Sequence, residues 1–271
     1  MSDRSTSIKR ILVFLALTFA FSTVFYGLII RAGTLSAKGG LYMLGLMWCP
    51  GLAAIITTLL FQQNLRGLGW RLGPPRYLWI SYMLPFAYAL PVYVLVWLTG
   101  LGEFSTEAIP ASTPVPVYVL LLATVGVFTG GLLSGLGEEI GWRGLLVPEL
   151  RKLTSFTNTV LIGGGIWAVW HTPLLFFADY NAGTPWWYGF LCFAIMVVGA
   201  SFAFAWLRIK SDSVWPAALL HASHNLFIQS VFDVMTRDTG RTLYIAGEFG
   251  AGLALTCAVM AYLIWRKRAT L

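Results

Sequence analysis

Charged residues are scarce in this chain. They make up 11% of its 271 residues, whereas ordinary soluble domains carry about 25%. Hydrophobic residues make up 58% of the sequence. The three cysteines (Cys49, Cys192 and Cys257) lie far apart within apolar stretches, which is typical of small buried side chains and argues against a disulfide framework. The ten-residue alternating segments of a membrane β-barrel are missing too. The composition therefore predicts an all-α polytopic membrane protein.

Eight apolar stretches are long enough to cross a bilayer, because a helix needs about 20 residues to span roughly 30 Å of hydrocarbon. They lie at about 11–30, 40–62, 78–99, 116–137, 159–178, 187–207, 214–235 and 247–265. We therefore predict one integral membrane domain over residues 1–271, folded as a transmembrane helix bundle of about eight spans. The fourth stretch does not stop cleanly. We expect its helix to be tilted, broken or extended beyond the bilayer, and to end near Pro148.

The net charge of +7 comes from basic residues that alternate between the two sides of these spans. Of the 18 Lys and Arg residues, 13 lie in the segments that share a side with the N-terminus, and 4 lie in the opposite loops. The positive-inside rule places the basic side in the cytoplasm. We therefore predict cytoplasmic N- and C-termini, and the basicity requires no nucleic-acid partner.

Two polar intervals and a set of glycines complete the organisation of the chain. The interval 63–77 mixes Arg with Leu and Trp, which favours a segment lying along the lipid headgroups; the alternative is a docking surface for a substrate tail. The interval 100–115 is predicted to be a plain extracytoplasmic loop. Small residues allow helices to approach closely, and we expect this of Gly131, Gly135, Gly137, Gly141, Gly163, Gly164 and Gly165.

Glu138, Glu139 and Arg143 place three charges near the end of the fourth apolar stretch. One charge near a bilayer centre costs about 2.5–3.5 kcal/mol on insertion scales, so intramembrane ionisable groups usually mark a functional site. Glu139 and Arg143 are four residues apart and share a helix face, which predicts an ion pair. Glu138 is then left for another task. The structural alternative is a buried charge cluster that only holds helices together.

All three histidines of the chain also lie in apolar stretches. His171 is in the fifth, while His221 and His224 are in the seventh. His221 and Asn225 are one helical turn apart and project together, whereas His224 is expected to point away from their cavity. The predicted topology would let Glu138, His171 and His221 meet in one cavity open to the cytoplasm.

A carboxylate and an imidazole can together activate water, since one group removes a proton that the other orients or shares. A second imidazole with an amide can supply donors to the oxyanion that water attack creates. These residue types therefore favour hydrolysis of an amide bond inside the membrane. Ser134, Ser201 and Ser223 lie in spans but have no motif typical of a serine nucleophile.

The signatures Glu138-Glu139-x-x-x-Arg143, Trp167-x-x-x-His171 and His221-x-x-x-Asn225 resemble those of the type II CAAX prenyl endopeptidases and their bacterial relatives, the CPBP (Abi) family. They occur in order within about residues 130–230, with Arg143, His171 and His221 separated by 28 and 50 residues. The family usually has Phe where this chain has Trp167. The resemblance implies that Glu138 and His171 activate water, His221 and Asn225 stabilise the oxyanion, and Glu139 and Arg143 organise the site.

The resemblance leaves cofactor and substrate open. The family was long described as metalloproteases, so a zinc site of Glu138, His171 and His221 is the alternative to metal-free catalysis, which we favour. The expected partners are membrane lipid and, as substrate, a peptide or a lipidated protein C-terminus. The expected location is a bacterial or archaeal plasma membrane. Two other functions remain: a non-catalytic bacteriocin-immunity or scaffold protein, and a proton-coupled transporter.

Overall fold

Long apolar helices account for most of the structure, a computed structural model that describes residues 2–180 and 183–270. The predicted all-α membrane bundle is confirmed. Its helices, in chain order, are α1 (Ser2–Ala32), α2 (Leu41–Gln62), α3 (Pro75–Thr99), α4 (Val115–Leu153), α5 (Phe156–Phe177), α6 (Trp186–Ser211), α7 (Trp215–His224, continued by a π-type segment Asn225–Phe232) and α8 (Ala251–Arg266).

Six of these helices, α1 to α6, are long and apolar enough to cross a membrane within the described ranges. Helix α8 has only 16 residues, and the regular part of α7 has 10. Both fall short of the ~20 residues that a full crossing requires. The count of eight spans and the cytoplasmic placement of the termini therefore remain predictions. Many large apolar side chains face outward, as a lipid-facing surface requires.

Helix α4 runs 39 residues and is longer than its predicted span. Regular α-helix alternates in it with two wider π-type segments, Leu122–Gly131 and Ile140–Leu146. The helix ends at Leu153, a few residues beyond Pro148, near which its end was expected. Pro148 lies in the first turn after the second π-type segment.

The connections between helices collect at two opposite ends of the bundle. At the end away from the termini, which we call the loop end, the Leu35 amide donates to Asp179 Oδ1 (2.8 Å), so the connections after α1 and α5 meet. There too, β1 (Gly102–Phe104) pairs antiparallel with β2 (Thr236–Asp238). The interval 100–115 is thus no plain loop, since it supplies a strand that joins the connection after α3 to the one before α8.

The opposite end, the terminal end, carries the N-terminal part of α1 and the connections after α2, α4 and α6. Arg10 of α1 forms a buried ion pair with Glu149 of α4 (2.5 Å). The Val214 amide donates to the Gly69 carbonyl (2.8 Å), which joins the connections after α2 and α6. The chain therefore alternates between the two ends helix by helix, as a polytopic bundle must.

Glycines allow α4 to lie directly against α2 and α7. A Cβ on Gly137 would lie 2.8 Å from the Met47 carbonyl oxygen, and one on Gly141 would lie 2.5 Å from Pro50 Cβ, both in α2. On the α7 side, a Cβ on Gly135 would lie 3.1 Å from His221 Cβ. The predicted role is wrong for Gly165 in α5, which has no neighbouring atom within 4 Å of its Cβ position.

Candidate active site

The four predicted catalytic residues line one cavity of about 350 Å³ inside the bundle. Glu138 comes from α4, His171 from α5, and His221 and Asn225 from α7. The close contact between α4 and α7 at Gly135 brings Glu138 and His221 together. A water occupies roughly 30 Å³ of liquid, so the cavity has room for several waters beside the polar groups.

Glu138 is buried (1% exposed) and is held by two indoles. Its Oε2 accepts a hydrogen bond from Trp167 Nε1 (2.7 Å) and a longer one from Trp142 Nε1 (3.3 Å). The other oxygen, Oε1, has no hydrogen-bond partner among the described residues. The departure of Trp167 from the family's usual Phe therefore has a consequence, because an indole can donate to the acid and a phenyl ring cannot.

Glu139 points away from Glu138 and joins α4 to α7. Its Oε1 accepts from Arg143 (2.9 Å) and from His221 Nδ1 (2.9 Å). The predicted Glu139–Arg143 pair is present. Arg143 also donates to Ser201 (3.3 Å) and lies over the rings of Trp167 and Phe204, 4.2 Å and 4.0 Å from their centroids. The guanidinium is thus fully enclosed, so it can neutralise Glu139 without reaching the cavity.

The ring of His171 has a defined tautomer. Its Nδ1 lies 2.8 Å from the Trp167 carbonyl oxygen, and a carbonyl only accepts, so Nδ1 carries a proton. In the neutral ring Nε2 then has the free lone pair. Aromatic rings surround the imidazole: Trp170 lies edge-on at 4.9 Å, Phe193 edge-on at 5.0 Å, and Tyr180 is stacked at 5.9 Å.

His221 is oriented in a similar way, because its Nδ1 faces the Glu139 carboxylate and Nε2 is the remaining nitrogen. Asn225 follows one turn later and is half-buried on the same cavity wall. Its side-chain amide has no bonded partner in the described part of the chain. An imidazole nitrogen and an amide N–H pair on one wall can donate to a developing oxyanion.

His224 corrects the sequence-based expectation, since it also lines the cavity. Helical spacing alone suggested that it would point elsewhere. Its two ring nitrogens are both occupied, Nδ1 by the Tyr88 hydroxyl (2.5 Å) and Nε2 by Glu248 (2.9 Å). Glu248 comes from the connection before α8 and was not a candidate in the sequence. The one available signal was its place in the apolar stretch 247–265.

The cavity extends toward the loop end of the bundle. Leu35, Tyr180 and Glu248, all from connections at that end, line it together with the helices. The same three residues line a second cavity of about 420 Å³ among those connections. If the termini are cytoplasmic, this is the extracytoplasmic side. The cytoplasmic placement of the termini and the opening of the cavity to the cytoplasm both stay predictions.

The donor set of the alternative zinc site does not converge on one point. Among the residues that the structure describes, no three His, Cys, Asp or Glu side chains are placed to hold a metal ion together. The residues as arranged thus do not fit a two-His-one-carboxylate site, which needs three ligand atoms at about 2.0–2.2 Å from the metal.

Comparison with known proteins agrees with the three signatures. Residues 118–227 match the family described as "Rce1-like: Type II CAAX prenyl endopeptidase Rce1-like". The chain is also 26% identical over 223 residues to the "CAAX prenyl protease 2" of Methanococcus maripaludis. The aligned region covers 70% of this chain and 73% of that protein. These similarities support an intramembrane endopeptidase and an integral membrane location. The resemblance seen in the sequence is confirmed: the chain is similar to the type II CAAX prenyl endopeptidases over the region that holds its three signatures.

Proposed function

We propose that this protein hydrolyses a peptide bond inside the membrane, with a water activated by Glu138 and His171. The observation that carries the proposal is the convergence of Glu138, His171, His221 and Asn225 on one cavity. Hydrolysis of an amide needs a base for water, donors for the oxyanion and a proton for the leaving amine. Each requirement has a side chain in this cavity.

Water activation falls to the acid and the first imidazole. Glu138 takes one proton from the water through Oε1, the oxygen that the indoles leave open. His171 accepts a hydrogen bond from the same water at Nε2, because its Nδ1 is already committed to the Trp167 carbonyl. The water oxygen then forms a bond to the carbonyl carbon of the substrate.

Oxyanion stabilisation falls to His221 and Asn225. Since His221 Nδ1 faces Glu139, donation from Nε2 requires the doubly protonated ring, which the Glu139 carboxylate stabilises. The Asn225 amide supplies the second donor. Collapse of the tetrahedral intermediate breaks the C–N bond, and the proton held by Glu138 passes to the leaving amine. The products are a carboxylic acid and an amine, which become a carboxylate and an ammonium when the second water proton passes from the acid to the amine, so the proton balance closes without a metal.

The proposed substrate is a membrane-anchored peptide, with a prenylated C-terminal tail as the first candidate. The basis is the name of the archaeal relative, CAAX prenyl protease 2, and the family match. The apolar walls of the cavity, including Met43, Met47, Met196 and Phe204, suit a substrate that reaches the site from lipid. We further propose a bacterial or archaeal plasma membrane as its location.

The test is cleavage of a peptide ending in Cys-Val-Ile-Met by protein purified in detergent, with farnesylated and unmodified peptides compared. Mass spectrometry detects release of the last three residues. We expect the wild type to cleave, and Glu138→Gln and His171→Ala to lose at least a hundredfold in rate. Glu149→Gln is the matched control, since it removes a buried, ion-paired carboxylate far from the cavity.

Each alternative has its own outcome. Cleavage that persists in Glu138→Gln would refute the mechanism. Proton flux in liposomes that depends on Glu138, without cleavage, would support the transporter. Bacteriocin protection that survives substitution of all four cavity residues would support the immunity or scaffold role. Cleavage of the unmodified peptide alone would keep the peptidase and reject the prenyl substrate.

A further inference from the structure

A second polar cluster lines the cavity and has no part in the mechanism above. Glu248 is its centre. The side chain is buried (8% exposed) and comes from the connection before α8. Its Oε1 accepts from His224 (2.9 Å) and Gln229 (3.0 Å), and its Oε2 accepts from the Tyr180 hydroxyl (3.1 Å).

The donors to Glu248 belong to two different walls of the cavity. His224 and Gln229 belong to α7 and its π-type continuation, the wall that carries His221 and Asn225. Tyr180 belongs to the connection after α5, the helix that carries His171. One carboxylate therefore joins the wall of the proposed oxyanion donors to the wall that carries His171.

Tyr180 contacts His171 directly and so connects it to Glu248. Its ring lies nearly parallel to the imidazole, with centroids 5.9 Å apart and planes 21° apart. The hydroxyl of the same side chain is the one that binds Glu248. The bond to the Trp167 carbonyl fixes one edge of the His171 ring, and the stacked Tyr180 limits rotation on one face.

Both carboxylate oxygens of Glu248 already accept hydrogen bonds from these partners. The group is therefore poorly placed to bind substrate or to act as a base. His224 is likewise held at both nitrogens, by Tyr88 and Glu248. Burial of so many polar groups is costly unless they are paired. A buried network of this kind is suited to fixing the relative position of the elements that it joins.

We infer that Glu248 is a positioning residue that acts through Tyr180 on His171 and through His224 on the segment carrying Asn225. The inference rests on the proposed peptidase function. Loss of the Glu248 hydrogen bonds leaves every group of the proposed mechanism present. It loosens the His171 ring relative to the oxyanion donors, His221 and Asn225. Small misplacements of reacting groups lower the rate of the chemical step, by up to about a hundredfold for 1 Å.

The test compares Tyr180→Phe and Glu248→Gln with the wild type in the peptide assay. Tyr180→Phe keeps the stacked ring and removes only the hydroxyl. We expect kcat to fall about 10- to 100-fold with KM changed less than threefold, and the double variant to match the worse single variant. Tyr188→Phe is the matched control, because it loses one hydroxyl-to-carbonyl bond at the loop end and should keep kcat.

A second measurement needs no substrate. Diethylpyrocarbonate modifies accessible imidazole nitrogens, and mass spectrometry can assign the modified histidine. We expect His171 to react several-fold faster in Tyr180→Phe and Glu248→Gln, and His224 to become reactive in Glu248→Gln. Unchanged histidine reactivity, or single-variant losses in kcat that multiply in the double variant, would overturn the inference. Failure of the peptidase itself would show separately, as a wild type no more active than Glu138→Gln.

Discussion

Replacement of Gly137 by alanine tests whether close contact between α2 and α4 holds the proposed site together. Gly137 directly precedes Glu138, and it faces backbone atoms of α2. An added Cβ would lie 2.8 Å from the Met47 carbonyl oxygen and 2.9 Å from Trp48 Cα. Ordinary van der Waals contact begins near 3.4 Å, so one helix must move by about half an ångström. No rotamer change can relieve a clash with backbone.

The size of the effect follows from comparison with Gly165→Ala. Both positions lie inside helices, so both gain the same ~0.5–1 kcal/mol that Ala has over Gly in a helix. Gly165 has no atom within 4 Å of its Cβ position, and its substitution should therefore stabilise the protein slightly. The difference between the two variants isolates the overpacking cost, about 1–3 kcal/mol.

Thermal unfolding in detergent, followed by tryptophan fluorescence from the 12 Trp residues, measures the difference. At about 2–4 °C per kcal/mol for a chain of this size, Gly137→Ala should unfold several degrees below Gly165→Ala. We also expect a fall in kcat of up to about tenfold, because the shift displaces Glu138. Equal unfolding temperatures for the two variants would refute the close α2–α4 contact.

Two further predictions concern the buried Glu139–Arg143 pair and the absence of a metal from the proposed mechanism. Arg143→Gln leaves Glu139 buried and poorly paired, and should destabilise the protein by about 3–5 kcal/mol; the double variant with Glu139→Gln should recover much of that loss in the same unfolding measurement. Dialysis against a chelator should leave cleavage unchanged, with metal content followed by elemental analysis; a loss of activity that zinc restores would contradict the metal-free mechanism.

Local spacing in the sequence predicted the parts of the site that lie on one helix. The Glu139–Arg143 pair follows from two residues four apart, and the structure has it at 2.9 Å. The shared cavity of Glu138, His171 and His221 was also predicted, but from the predicted topology of the spans rather than from local spacing. The lengths of the apolar stretches predicted the helices, because a segment that crosses lipid must pair its backbone polar groups internally and a helix does so.

Contacts between distant segments could not be predicted in the same way. Glu248 reaches His224 from the connection before α8, and no periodicity relates these two positions. The π-type segments are a second reason why side-chain positions could not be predicted from the sequence. They widen α4 immediately after Glu139 and α7 from Asn225 onward, so the angles of a regular α-helix misplace the side chains that follow. The direction of the cavity depends on which loops close over it, which is equally a property of the fold.

The direction of the cavity yields a last prediction, about the two sides of the membrane. Connections at the loop end line part of the cavity, whereas both termini lie at the other end, so we expect the substrate's cleavage site and the termini to face different compartments. Single cysteines can report this, because the native ones are buried. With cytoplasmic termini, as the basic residues predict, an impermeant maleimide should label Thr106→Cys in intact cells and Ser5→Cys only after permeabilisation. The reverse pattern would keep the fold and overturn the predicted orientation, giving a cytoplasmic cavity. Labelling of both from one side would contradict a bundle whose ends lie on opposite membrane faces.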